Sequence, residues 1–259
     1  MSRPVVTLLT DFGNRDPYVG IMKGQILSFC PDAQLVDLTH EVPAQDVRTA
    51  SFHLQQSAPY FPSGTVHLAV VDPGVGSDRA MVAGSTRSGM MFVAPDNGVL
   101  TRVLRDLGPL QKCVRLPVPE GASSTFHGRD VMAPAAGQLA AGASLESLGL
   151  SHELQVALDF PSAQITPTQV QAWVLAVDHF GNVTFDLGED EGREVFAPGT
   201  SWKIGEQKVV VGRTYADVEV GKPLLLWGSQ RLLELAIRQG SAAQEFQLRE
   251  DEPVLFQRA

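Results

Sequence analysis

The stretch Val5-Val-Thr-Leu-Leu-Thr-Asp-Phe-Gly13 determines the fold prediction for the first half of the chain. Its first five residues form an apolar run that is typical of a buried strand, and its last four read as a polar loop. A helical spacing of apolar residues then predicts a helix over 18–29, which Pro31 ends. Further strands are predicted over 34–38 and 65–71, and a helix over 47–58 with Asp46 as its N-cap.

Alternating strands and helices of this kind predict a parallel sheet covered on both faces, which is an α/β fold. Beyond the third strand we expect a hairpin of two short strands and then two more helices. These elements are predicted at Met81–Gly84, Met90–Ala94, Val99–Leu104 and Val131–Ala141.

The pattern changes after about residue 150, where short alternating runs separated by Gly and Pro predict a smaller all-β barrel or sandwich. One helix is predicted within it, over Leu232–Arg238. The predicted domains are an α/β N-terminal domain over 1–155, a linker over 156–167 and a C-terminal β-barrel domain over 168–259.

Charge and composition exclude several classes of protein. With 29 acidic and 20 basic residues among 259, the chain has a formal charge of −9, which argues against a nucleic-acid partner. We find no apolar stretch of transmembrane length and no signal peptide, so no membrane partner is expected. Cys30 and Cys113 are interpreted as buried small hydrophobes in a reducing compartment, and the chain is expected to be cytoplasmic.

Two acids, Asp11 and Asp72, each follow a predicted strand of the sheet. Ligands of open parallel sheets bind beyond the carboxyl ends of the strands, so both acids are candidates to share one crevice. Each could instead cap a helix or a turn. Gly74 and Gly76 in the second loop would let a ligand approach the backbone, but no phosphate-binding fingerprint is present.

The histidines offer one clear candidate. His127, within Thr125-Phe-His-Gly-Arg-Asp130, could shuttle a proton or bond a backbone carbonyl. Asp130 is expected to cap the following helix and to pair with Arg129. His53 and His67 are interpreted as structural, and His40, at a strand end, is a weaker candidate for the site.

In the second half, Gly181-Asn182 suits a hairpin turn, although the Asn182 amide could also read a polar heterocycle beside Phe180. Ser229 suits the N-cap of the helix predicted after it. The charged run Glu189–Glu194 is expected to be a solvated loop.

Five separated motifs occur in order across nearly the whole chain: Leu9–Gly24, Val71–Gly76, Phe126–Asp130, Phe180–Asn182 and Gly228–Ser229. Together they resemble the S-adenosyl-L-methionine (SAM) hydroxide adenosyltransferases, the hydrolase relatives of the fluorinases and chlorinases. The resemblance implies an N-terminal α/β domain, a C-terminal β-barrel domain and a homotrimer. Each active site would lie between one subunit's N-terminal domain and its neighbour's C-terminal domain.

The resemblance also implies a reaction: water attacks the ribose C5′ of SAM, giving adenosine and L-methionine. SAM is then the small-molecule substrate, and no metal or redox cofactor is implied. Asp72, Arg79 and His127 would activate the water. The halogenating relatives carry Tyr at the Asp72 position and Tyr-Ser at His127-Gly128, and a carboxylate would repel a halide.

The implied substrate contacts come from both halves of the chain. Asp11 would hold the ribose hydroxyls, Phe180, Asn182 and Ile237 the adenine, and Ser229 and Glu234 the methionine end. The match at Asp178 is weaker, because the fluorinase-type segment has one more residue there.

Two other functions compete with this one. A metal-dependent hydrolase could use Asp11, Asp72, His127 and Asp130 as ligands, although no familiar metal-binding spacing occurs. A non-catalytic adenosine or SAM-binding protein would bind the ligand and leave it intact.

Overall fold

The computed structural model describes residues 3–259, which divide into two compact units between Leu158 and Asp159. The bounds 1–155, 156–167 and 168–259 stay predictions. Within the proposed linker, a two-residue strand pairs with the strand that follows it. No helix in the described range is long and apolar enough to cross a bilayer.

The first unit contains a sheet in the order β2-β1-β3-β5-β4-β6-β7. Its elements are β1 Val5–Thr10, α1 Tyr18–Phe29, β2 Gln34–Thr39, α2 Val47–Ser57, β3 Val66–Val70, β4 Met81–Thr86, β5 Met91–Pro95, α3 Thr101–Leu107, β6 Leu110–Arg115, α4 Ala133–Ala140 and β7 Leu150–Ser151. The pairs β1–β2, β1–β3 and β3–β5 are parallel, whereas β4 is antiparallel to both β5 and β6. The predicted α/β fold and the hairpin of β4 and β5 are confirmed.

Both faces of the sheet are buried. Val66, Leu68 and Val70 of β3 join the core formed with α1 and α4, whereas Ala69 and Val71 join the core formed with α2 and α3. Because β1 and β3 are adjacent and parallel, with Thr10 opposite Val70, the loops that follow them leave the same edge of the sheet.

The start of one helix has the predicted N-cap, whereas the bounds of two other helices differ from the predicted ones. Asp46 caps α2 as predicted, since its side chain accepts from the Thr49 N–H at 2.9 Å. The helix predicted over 99–104 lies two to three residues later, at α3. The helix predicted over 131–141 begins earlier, as a π-helical turn over Gly128–Met132 that leads into α4.

The second unit is the predicted β-barrel. Its elements are β8 Gln164–Ile165, β9 Gln169–Val177, β10 Val183–Gly188, α5 Glu189–Gly192, β11 Ser201–Ile204, β12 Gln207–Val211, β13 Pro223–Trp227, β14 Leu232–Ile237, α6 Ala242–Glu245 and β15 Pro253–Arg258. Seven strands close in the order β9-β10-β14-β13-β12-β11-β15, and β15 pairs with β9 again. Strand β8 pairs only with β9, outside this ring.

The prediction of a helix over Leu232–Arg238 is wrong. Leu232–Ile237 forms strand β14, which pairs with β13 and β10. Leu, Glu and Ala favour helices, but burial between two strands overrides that weak preference. Ser229 therefore caps no helix and lies in an exposed turn, in which the Arg231 N–H donates to the Gly228 carbonyl. The run Glu189–Glu194 is also not a plain loop, since it contains α5.

His67 is a buried titratable group in the core of the first unit. Its ring is fully enclosed, stacks on Phe92 at 5.1 Å, and bonds Thr7 Oγ1 through Nδ1 at 2.8 Å. Burial lowers the pKa of His67 from 6.5 to about 4. Between these values the unfolded chain binds more protons than the folded one, so stability falls as the pH falls from 6.5 to about 4.

We therefore expect His67 to lower the free energy of unfolding of the wild type by roughly 3 kcal/mol between pH 7 and pH 4. The variant His67→Gln should lack this loss. Urea unfolding at a series of pH values measures it. Thr7→Val is the matched control: it removes the partner hydroxyl but keeps the imidazole, so it should lower stability yet retain the slope. An equal slope in His67→Gln and the wild type would contradict this assignment.

Candidate active site

Asp72 and Arg79 stand at the two ends of the loop that joins β3 to β4. The loop begins with a turn in which the Val75 N–H donates to the Asp72 carbonyl. Asn97 Nδ2 donates to the Val71 carbonyl at 2.8 Å and fixes the start of the loop. The loop then doubles back, which brings the Arg79 side chain onto the carboxylate of Asp72.

Arg79 and Asp72 form a bidentate ion pair. Arg79 Nε donates to Asp72 Oδ1 at 2.7 Å, and Nη2 donates to Oδ2. The side chains are only 10% and 6% exposed, respectively, so the pair is largely shielded from solvent. A planar guanidinium that engages both oxygens fixes the direction of the carboxylate as well as balancing its charge.

His127 completes the array. The residue is 5% exposed, and its Nδ1 lies 3.1 Å from Arg79 Nη2. Because a guanidinium only donates, Nδ1 accepts, and the proton of the neutral ring is on Nε2. Burial and, next, the charge of Arg79 lower the pKa of His127, whereas Asp72 and Asp130 oppose this shift. Sequence reasoning thus named three residues that the structure brings into contact.

Asp130 holds the loop that carries His127, and it is not the N-cap expected from the sequence. It lies inside the π-helical turn, where its carboxylate accepts from the Ser123 N–H at 2.8 Å. It also accepts from Arg129 Nε at 2.6 Å and Nη2 at 2.8 Å, so the predicted Arg129–Asp130 pair is confirmed. The Arg129 guanidinium lies over the Phe126 ring, 5.2 Å from its centroid.

Asp11 follows β1 at the edge of the sheet where Asp72 follows β3. It is half-buried, and its Oδ2 accepts from the Gln45 N–H at 2.8 Å. Gln45 adopts a positive φ of 69°, which aims its N–H at this carboxylate.

In the second unit, Asp178 organises the turn between β9 and β10. Its carboxylate accepts from the N–H groups of Phe180 at 2.9 Å and Asn182 at 2.8 Å, and from Asn182 Nδ2 at 2.9 Å. The predicted hairpin turn is therefore confirmed. Asp178 also orients the Asn182 amide, whereas the Phe180 ring is exposed.

A cavity of about 740 Å³ opens beside this turn, and the predicted residues Phe180, Asn182 and Ile237 line it together. Ser229 and Glu234 are not among its lining residues. Tyr215 lines it too, and sequence reasoning missed this residue because no local pattern marks it.

Tyr215 links the cavity to Glu234. Its hydroxyl donates to Glu234 Oε1 at 2.7 Å. Burial first, and the neighbouring Asp178 next, raise the pKa of Glu234 against the opposing effect of this bond. Burial and the bond to Glu234 also raise the pKa of Tyr215.

A metal site is not assembled from the acids and histidines proposed for it. Across residues 3–259, no three His, Cys, Asp or Glu side chains are grouped so as to hold a metal ion. The carboxylates of Asp72 and Asp130 each pair instead with a guanidinium group, that of Arg79 and that of Arg129.

Family comparisons agree with the two-domain fold. Residues 6–149 match the SAM hydroxide adenosyltransferase N-terminal domain, and residues 172–255 match the C-terminal domain of the same name. The (R)-S-adenosyl-L-methionine hydrolase of Thermus thermophilus is 39% identical over 97% of this chain and 98% of its own. A fluorinase of Actinopolyspora mzabensis is 29% identical over 96% and 95%.

Among solved structures, an uncharacterized conserved protein from Thermotoga maritima is similar, with a TM-score of 0.91 and 33% identity. The match covers 98% of this chain and 100% of that one. An α/β unit with a buried acid–guanidinium–imidazole array, a separate β-barrel unit and relatives named as hydrolases together indicate a two-domain enzyme. The chain belongs to the SAM hydroxide adenosyltransferase family.

Gly76 docks the loop of Asp72 and Arg79 against the loop that precedes His127. It has a φ of +80°, and a Cβ there would lie 2.6 Å from the Ser124 carbonyl oxygen. Gly121 is a matched control, because its φ is +83° but a Cβ there would meet nothing within 4 Å. Both Ala variants should lose about 1–2 kcal/mol of stability from the strained backbone.

Only Gly76→Ala should also displace the two loops from each other and change the NMR signals of the His127 ring. Urea unfolding and histidine NMR measure the two effects. Equal losses in both variants, with an unchanged His127 signal, would show that the close approach at Ser124 does not hold the array together.

Proposed function

We propose that this enzyme hydrolyses SAM to adenosine and L-methionine by attack of water at the ribose C5′. The observation that carries this proposal is the buried contact of Asp72, Arg79 and His127 at the carboxyl end of β3. The relative from Thermus thermophilus is named as an (R)-S-adenosyl-L-methionine hydrolase, which supports the choice of substrate.

Hydrolysis of SAM at C5′ requires few catalytic groups, and Asp72, Arg79 and His127 suffice for it. The sulfonium leaves C5′ as a neutral thioether, so no acid is needed to protonate the leaving group. The carbon is saturated, so no oxyanion has to be stabilised. The protein has to hold a water molecule in line with the C5′–S bond and to receive a proton from it.

The tautomer of His127 assigns the roles within the array. Its Nε2–H is a donor and can hold the oxygen of the water molecule. Its Nδ1 is occupied by Arg79. Asp72, whose oxygens keep lone pairs beyond those used by Arg79, is then the group that accepts the proton of the water. Arg79 orients both partners.

The proposed substrate contacts are those that the family resemblance implies. Asp11 would accept from the ribose hydroxyls, and Phe180, Asn182 and Ile237 would enclose the adenine. Ser229 and Glu234 would face the methionine end. We further propose a homotrimer in which the N-terminal domain of one subunit and the C-terminal domain of its neighbour complete each site, as the resemblance to the family implies.

Asp72→Asn keeps the shape of the side chain but removes its charge. We expect kcat for SAM hydrolysis to fall by about 10²–10⁴-fold while adenosine still binds. Asp78→Asn is the matched control, since Asp78 lies in the same loop but is exposed, and its turnover should match the wild type.

Chromatography and mass spectrometry in ¹⁸O-labelled water follow the products, with the label expected in the adenosine 5′-hydroxyl. Label in methionine would refute attack at C5′. Intact SAM after prolonged incubation with the wild type would favour a non-catalytic binding protein. Undiminished turnover by Asp72→Asn would remove Asp72 from the mechanism.

The lowered pKa of His127 predicts the acidic limit of the reaction. A proton on Nδ1 of His127 would face the N–H donor of Arg79 Nη2, and the hydrogen bond between these two atoms would be lost. Activity therefore requires the neutral ring. We expect the acidic limb of kcat/KM to have its midpoint below pH 6.5, and the NMR titration of His127 to give the same midpoint.

Arg79→Gln should raise this midpoint, because it removes a neighbouring positive charge, whereas Arg79→Lys keeps the charge and should raise it less. A wild-type midpoint at or above 6.5, or one that is identical in Arg79→Gln, would be inconsistent with the assigned tautomer and its cause.

A further inference from the structure

A chain of polar side chains lies directly beneath Asp11, and the mechanism above does not use it. Thr10 Oγ1 lies 2.9 Å from His40 Nδ1, and His40 Nε2 lies 2.9 Å from Asp37 Oδ1. Lys23 Nζ, from α1, donates to Asp37 Oδ2 at 2.6 Å. We call these four residues the Thr10 network. It links the ends of β1 and β2 to helix α1.

The Thr10 hydroxyl contacts a backbone N–H group as well as the His40 ring. The Phe12 N–H donates to Thr10 Oγ1 at 3.2 Å, which leaves the Thr10 hydroxyl free to donate to His40 Nδ1. His40 Nε2 faces Asp37 Oδ1, although that oxygen lies off the line of an N–H bond. Burial raises the pKa of Asp37, but the bonds to Lys23 and His40 lower it overall.

The network holds the backbone on both sides of Asp11. Thr10 precedes Asp11 and binds the N–H of Phe12 through its hydroxyl. The His40 carbonyl accepts from the Gly13 N–H at 2.7 Å. The residue before Asp11 and the two residues after it are therefore fixed by His40, either directly or through Thr10.

The order Thr–His–Asp resembles that of a hydrolase triad, but the burial of Thr10 and His40 excludes this role. Thr10 is 0% exposed and His40 is 3% exposed, so the hydroxyl lies under the loop and no substrate atom can approach it. Groups that are buried, mutually bonded and attached to a functional loop can act only through that loop.

We propose that Thr10 and His40 are positioning residues that fix the carboxylate of Asp11 in the direction required by the two ribose hydroxyls. This inference rests on the proposed function, which places the ribose at Asp11. A carboxylate held in place before binding loses little freedom when the ligand arrives, and this increases the affinity for the ligand. Removal of the Thr10 hydroxyl frees the Phe12 N–H and leaves the Asp11 backbone less constrained.

The test compares two ligands that differ only in the groups that Asp11 would bind, adenosine and 2′,3′-dideoxyadenosine. Calorimetry on the full-length protein should show that the wild type prefers adenosine. Thr10→Val keeps the shape of the side chain but removes the hydroxyl. We expect Thr10→Val to weaken the affinity for adenosine about tenfold and to change the affinity for dideoxyadenosine by less than about threefold. Thr10→Ser should restore the preference.

The chain offers a matched control. Thr7 lies on the same strand, is also fully buried, and bonds a buried histidine, His67, at 2.8 Å. Thr7→Val removes an equivalent Thr–His bond away from the loop. It should lower the melting temperature without changing the preference for adenosine. Thr10→Ala is a second variant with the same expected loss, in case Thr10→Val does not fold.

Each result decides between the possibilities. If Thr10→Val lowers the affinity for both ligands equally, or leaves the preference for adenosine unchanged, the positioning role is overturned and the proposed function stays intact. The same loss of preference in Thr7→Val would assign the effect to general stability and would also overturn it. A wild type that does not prefer adenosine would contradict the ribose contact at Asp11 and, with it, the positioning role.

Discussion

The rest of the site depends on the bidentate bond between Arg79 and Asp72. Two opposite charges this deeply buried are tolerable only when each satisfies the other, because an unpaired charge in the same place would cost several kcal/mol. The pairing leaves the guanidinium with donors to spare. One of them is shared with His127 and thereby sets the tautomer of the imidazole. A single ion pair thus orients the acid and determines which nitrogen of the histidine carries its proton.

Strand β1 uses the same chemical unit twice for two purposes. Near its middle, Thr7 bonds His67 in the apolar core, where the pair links β1 to β3. At its end, Thr10 bonds His40, and that pair borders the loop of Asp11. The two histidines differ in what surrounds them: His67 stacks against Phe92, whereas His40 faces Asp37. Position along the strand, and not residue type, separates the pair in the core from the pair that borders the loop of Asp11.

The sequence predicts those features that depend on periodicity or on a local cap. The strand before Asp11, helix α1 and the Asp46 cap all follow from neighbours within a few residues. Strand β14 was missed because Leu232–Ile237 contains strong helix formers, and its two strand partners are distant in the sequence. Asp130 was misplaced because a π-helical turn has no recognisable composition. The family resemblance named Asp72, Arg79 and His127, but their contact depends on how two loops pack at Gly76 and Ser124.

Electrostatics explain why this arrangement suits a cationic substrate and a neutral nucleophile. With His127 neutral, the charges of Asp72 and Arg79 cancel, so the array neither repels a sulfonium nor concentrates anions. A halide, which must shed its hydration shell to react, gains no net positive charge here to offset that cost. Protonation of His127 would make the array cationic beside the sulfonium. Burial and Arg79, which lower the pKa of His127, therefore favour the charge state that the proposed reaction requires. The chain's overall charge of −9 also favours the approach of a cation.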